Sequence, residues 1–133
     1  MKTFPYIDIH THHAHTGSAT VKVVNLFPGD DIPAFSGKNF YSVGLHPWSL
    51  KTKEENSNSL LIMEDVLEFD HVLFAGECGL DKISGADFQE QKRVFMAQAI
   101  MAEEYQKPLI IHCVRAYNEI NVLYNSPIKI SII

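Results

Sequence analysis

Short apolar runs alternate along the chain with stretches whose apolar residues recur at helical spacing. The first run, Tyr6-Ile7-Asp8-Ile9-His10, predicts a strand, followed by a His-, Thr- and Gly-containing loop through Gly17-Ser18. Val21 to Phe27 is β-branched and apolar and predicts a second strand, closed by the turn residues Pro28-Gly29-Asp30-Asp31. After a loop reaching Asn39, Phe40 to Leu45 predicts a third strand, stopped by Pro47. Ser57 or Asn58 is then expected to cap a helix running to about Phe69, with Leu60, Met63 and Leu67 on one face. Val72 to Gly76 predicts a fourth strand. Asp87 and Glu90 resemble a capping box, with Asp in place of Ser or Thr. They open the most regular helix, whose stripe of Val94, Ala97, Met101 and Tyr105 is widened by Phe95, Ala99 and Ala102 and ends at Lys107-Pro108. Leu109 to His112 predicts a fifth strand and Ala116 to Tyr124 a short helix. The alternating Ile128, Ile130 and Ile132 predict the start of another strand.

Apolar strands separated by amphipathic helices imply an α/β fold with a parallel sheet covered on its faces and right-handed crossovers. A doubly wound sheet and a barrel both fit this order. The 133 residues form one expected domain, enough for a sizeable core but short of the about 250 residues of a complete (β/α)₈ barrel.

Composition narrows the functional classes. With 46% apolar and 20% charged residues, the chain is neither disordered, collagenous nor coiled coil. A net charge of -5 removes the broad basic face of a nucleic-acid-binding protein, but leaves room for a small phosphate-facing site neutralised by metal. Two cysteines are too few for a disulfide framework, so a reducing compartment, the cytoplasm, is expected. Asp8 and His10 interrupt the N-terminal apolar stretch, so no signal-peptide core is expected, and no apolar run is long enough to span a membrane.

The chemistry-bearing residues gather at predicted strand ends: Asp8, His10 and His12 at the first, His46 after the third, Glu77 after the fourth and His112 at the fifth. In parallel α/β folds, sites form at the C-terminal ends of strands. The period of two puts His10 and His12 on one face, where two imidazoles can chelate one ion, and Asp8 shares their parity and can orient a ligand from behind. A lone His-x-His is common by chance. Glu77 adds weight, because a carboxylate following Leu73-Phe74-Ala75-Gly76 is costly unless paired or metal-bound. Together with His112 these make a nitrogen and oxygen set suited to Zn²⁺ or Mn²⁺, with a carboxylate able to bridge two ions for hydrolysis at phosphorus. Cys78 and Cys113 alternate away from this face and read as small buried hydrophobes. His13 and His15 read as solvated loop residues and His71 as lying away from the site. Arg115, just after the fifth strand, is placed either to meet a phosphate or to form a surface ion pair.

Asp8-Ile9-His10-Thr11-His12, Gly44-Leu45-His46-Pro47, Gly76-Glu77-Cys78-Gly79-Leu80-Asp81 and Pro108-Leu109-Ile110-Ile111-His112-Cys113, in that order, resemble the TatD-type hydrolases, metal-dependent deoxyribonucleases of the amidohydrolase superfamily. The spaced Gln91, Phe95, Gln98 and Ala102 add to the likeness, which runs over nearly all of residues 4–120. The resemblance implies a parallel (β/α) barrel of TIM type, here a partial barrel of about five strands. It implies one or two divalent ions (Zn, Mn or Mg), with His10, His12 and Glu77 on the first, Glu77 and His112 on the second, and Glu77 bridging. The implied reaction is exonuclease-like cleavage of DNA by activated water, with His46 lining the substrate side. Val114-Arg115 stand where the family has Arg-Asp, and the family's further His and Asp ligands have no counterpart after His112. The expected product is therefore a C-terminally shortened hydrolase, able to self-associate through its incomplete barrel edge. Its expected partner is DNA or a small phosphoester. The alternatives are an inactive metal-binding fragment and a different metal-dependent phosphoesterase or amidohydrolase.

Overall fold

The computed structural model describes residues 6–13, 20–31 and 39–125. The strand expected from Ile128 onward, and His15, lie outside these residues. Five strands form one sheet in the order β1-β2-β3-β4-β5: β1 (Tyr6–Thr11), β2 (Thr20–Leu26), β3 (Asn39–Val43), β4 (Val72–Asp81) and β5 (Leu109–Val114). Every neighbouring pair is parallel. Strict sequential order decides between the two architectures left open by the pattern. A doubly wound sheet reverses its strand order at a switch point, whereas a barrel adds each strand beside the last. The fold is a partial (β/α) barrel.

Helices cover the second half of the sheet: α1 (Lys53–Leu67) after β3, α2 (Phe88–Glu104) after β4 and α3 (Tyr117–Tyr124) after β5. The core lies between α1, α2 and the strands, where Val43, Met63, Leu67, Val72, Ala75, Leu80, Phe95 and Leu109 are buried. Helix α1 starts four residues before the earlier of its expected caps. Thr52 accepts from the Glu55 backbone N–H while Glu55 reaches back to the Thr52 N–H, a reciprocal capping box that apolar spacing does not reveal. At α2, Asp87 caps the Glu90 N–H as expected, but the Glu90 carboxylate turns to Arg93 and Asn56, so the box is not reciprocated.

Strands β4 and β5 run past their expected ends, to Asp81 and Val114. Gly76 and Gly79 make the longer β4 possible. Both have positive φ, 128° and 153°, and a Cβ would collide with the Ile110 carbonyl at Gly76 and the His112 carbonyl at Gly79. These glycines let β4 lie close to β5. The pairing slips by one residue between Ala75↔Leu109 and Cys78↔Ile111, a bulge at Gly76-Glu77. A similar slip separates Asp8↔Lys22 from Thr11↔Val24 in β1. Bulges re-aim side chains, and these two sit at His10 and Glu77.

Candidate metal centre

Glu77 is the hub. Its Oε2 lies 3.1 Å from His10 Nε2, and its Oε1 lies 3.2 Å from His112 Nδ1 and 3.8 Å from His46 Nε2. Two sets, His10–His12–Glu77 and His46–Glu77–His112, each bring one donor atom per residue within 4.8 Å of one another. The strand ends thus gather His10, His12, His46, Glu77 and His112 at one place. Arg115 does not join them; it is exposed just past β5, with a left-handed φ of 54°.

Several buried amides hold this hub. Asn25 Oδ1 accepts the Glu77 backbone N–H at 2.7 Å and the Ser42 hydroxyl at 3.2 Å, fixing the backbone beneath the carboxylate. From α2, Gln98 clamps Leu45, taking its N–H at 2.8 Å and donating to its carbonyl at 3.1 Å, directly before His46. Two helical turns earlier, Gln91 makes the same pair of bonds to Asp81, at 2.8 and 3.0 Å. Buried amides that satisfy both backbone groups of a strand end leave that end little freedom.

Asp81, which strand-end position alone does not mark as a site residue, organises one side of the centre. It is buried, and its Oδ2 lies 3.0 Å from His112 Nε2 and accepts Trp48 Nε1–H at 2.7 Å. Its Oδ1 accepts the N–H groups of Ile83 and Ser84. Burial alone would raise the Asp81 pKa; the bonds from His112, Trp48, Ile83 and Ser84 outweigh it and hold the carboxyl well below the usual carboxylate range. When the single proton of a neutral His112 ring sits on Nε2 and is donated to Asp81, the Nδ1 lone pair is the one left on the Glu77 side. In the neutral ring, that lone pair and a carboxylate oxygen stand 3.2 Å apart, an arrangement that a cation relieves.

The other histidines divide by hydrogen bonding. His46 Nδ1 accepts the Trp48 backbone N–H at 3.1 Å, so the neutral ring carries its proton on Nε2, toward Glu77. Burial, then the neighbouring His112, lowers the His46 pKa against the opposing pull of Glu77 and Asp81. Its Nε2 is therefore a donor rather than a free lone pair. His10 Nδ1 is buried with no partner among the described residues, and the His10 and His12 rings meet edge to face at 5.1 Å. Asp8 meets His10 through the backbone, its Oδ1 accepting the His10 N–H at 3.3 Å. The donor set and the orphaned His10 nitrogen fit a divalent ion. Cys78 is fully buried, and desolvation, then Glu77, push its thiol pKa far up, so it stays protonated and inert. His13 is exposed, and His71 stacks on Phe40 away from the centre.

A protein-family model described as TatD related DNase matches residues 31–129. The match takes in His46, Glu77, Asp81, His112 and Arg115 and begins after His10 and His12. The crystal structure of YjjV, a TatD homologue from Escherichia coli K12, aligns with a TM-score of 0.73 and 21% identity over 89% of this chain. At that identity the likeness speaks to the fold, and the chain spans 54% of the YjjV chain, about half its length. No curated protein matched the sequence.

Proposed function

Because the chain belongs to the TatD related DNase family, we propose that it carries the site of a divalent-metal-dependent hydrolase that cleaves phosphodiester bonds of DNA. The observation that carries this reading is the gathering of four histidines around one carboxylate at the C-terminal ends of the strands. When bound there, Zn²⁺, Mn²⁺ or Mg²⁺ supplies Lewis acidity toward the phosphoryl oxygen and lowers the pKa of water.

The chain's own residues have separable tasks in this reading. His10, His12 and Glu77 would hold one ion, and Glu77 and His112 a second. Asp81 keeps the proton on His112 Nε2 and so keeps Nδ1 available. His46, neutral and with Nε2–H facing the centre, donates a hydrogen bond to a phosphate oxygen rather than ligating metal. Arg115, at the end of β5, offers its guanidinium to an outer phosphate of the strand. Among the described residues no helix is long and apolar enough to cross a membrane, and the free thiols of Cys78 and Cys113 suit a reducing, cytoplasmic setting. Among the described residues β1 and β5 each have one neighbour in the sheet, and Tyr6, Ile7 and Ile9 of β1 are exposed, so a second copy is the expected partner of the β1 edge.

The test is nucleotide release from end-labelled DNA in Mg²⁺, Mn²⁺ or Zn²⁺, with and without chelator. Metal-dependent release that falls to background in Glu77→Ala is expected. Hydrolysis of a small phosphodiester with DNA untouched would give the protein to a different class of phosphoesterase. Bound metal with neither activity would make it a metal-binding fragment only.

A further inference from the structure

Trp48 is out of place for a large aromatic: its side chain is 70% exposed, yet it is not loose. Its indole N–H is fixed on Asp81 Oδ2 at 2.7 Å, and its ring lies 5.2 Å from that of His46 and 5.8 Å from that of His112. Asp81 Oδ2 therefore serves both a candidate ligand and an exposed aromatic, and holds the two in register. Beside the indole a cleft of about 510 Å³ opens between Leu50, Asp81, Ile83 and Ser84. Trp48 forms one of its walls.

We propose that Trp48 and this cleft form a nucleobase subsite. The base of the nucleotide whose phosphate meets the Glu77–histidine centre stacks on the indole. The inference rests on the phosphodiesterase reading above and adds how the base is held. Three features support it. A nucleotide joins a phosphate to an aromatic face within one residue's span, and here a phosphate-suited centre and an aromatic surface are in ring contact. The indole is already oriented, so stacking costs little further side-chain order. Its one hydrogen-bond donor is used internally, so the platform offers a π-face and no base-specific donor. Such a surface accepts any base, as stacking platforms for single strands do.

Trp48 is the sole tryptophan of the chain, so its fluorescence reports the subsite directly. The 133-residue chain in Mg²⁺ is titrated with dAMP, dTMP and the base-free 2-deoxyribose 5-phosphate. Excitation lies above the nucleotide absorption, and binding is followed in parallel by calorimetry. The expected result is saturable quenching by both nucleotides, no quenching by the sugar phosphate, and sugar-phosphate binding weaker by about tenfold or more. Trp48→Leu should bring the nucleotides down to sugar-phosphate affinity, and Trp48→Phe, which keeps an aromatic face without the indole N–H, should recover most of the difference. If nucleotides and sugar phosphate bind equally and without quenching, the subsite is refuted while the phosphate centre stands. If none of the three binds to the folded, metal-loaded chain, the underlying reading falls and the subsite with it.

Discussion

Asp81 shows how one buried carboxylate can set the chemistry of a neighbour. By sitting on His112 Nε2 it decides which ring nitrogen is left for a ligand. Asp81→Asn places an amide at that contact, whose N–H group can reverse the His112 tautomer. Weaker divalent-ion binding by about 10- to 100-fold is expected, read by calorimetric titration with the fold checked by circular dichroism. The sequence made Glu77 and the histidines conspicuous through their place at the ends of apolar runs. It gave Asp81 no such mark, because its importance lies in a contact with His112 across two strands. Asn25 was hidden for the same reason, an amide inside an ordinary-looking strand that holds the Glu77 backbone. Acid acts on Glu90, the N-terminal carboxylate of α2. Hydrogen bonds from Arg93, then Asn56, lower the Glu90 pKa from 4.5 to about 2. A carboxyl whose folded pKa is depressed stabilises the fold above its unfolded pKa and loses that contribution as pH falls through the folded value. The melting temperature should therefore drop between pH 4.5 and 2, and the drop should be shallower in Glu90→Gln.

Helix α2 illustrates what spacing can and cannot say. Of the expected stripe Val94 is buried while Ala97, Met101 and Tyr105 are half-buried, and the flanking Phe95, Ala99 and Ala102 carry the burial instead. The polar Gln91 and Gln98 are buried on the same helix, seven residues apart, because each satisfies both backbone groups of a strand end. A hydrophobicity pattern reads such residues as solvent-facing. Gln98→Ala leaves the Leu45 N–H and carbonyl without partners and should cost about 1–3 kcal/mol of stability in chemical denaturation. The strands show a second limit. The expected end of β4 at Gly76 follows from treating glycine as punctuation. Here glycine instead permits a bulge and close packing on β5, and the strand continues to Asp81. The start of α1 differs from the expected cap at Ser57 or Asn58 because its capping box lies in a polar stretch, ahead of the first apolar position that periodicity detects.

The described residues form a run of five parallel strands in sequential order, and that order places the candidate ligands at one end of the sheet. The order of elements could be read from the chain, whereas the choice of barrel over doubly wound sheet required either the strand order or the motif resemblance. Both now agree with the TatD related DNase match. On the proposed reading Glu77 and the surrounding histidines hold a divalent ion within this chain. That reading is tested most directly by titrating the metal-free protein with Zn²⁺ and with Mn²⁺ and counting bound ions, beside Glu77→Gln. One or two ions per chain, with binding lost or weakened at least tenfold in the variant, is the predicted result. Absence of saturable binding in the folded chain, or binding unchanged in Glu77→Gln, would contradict it.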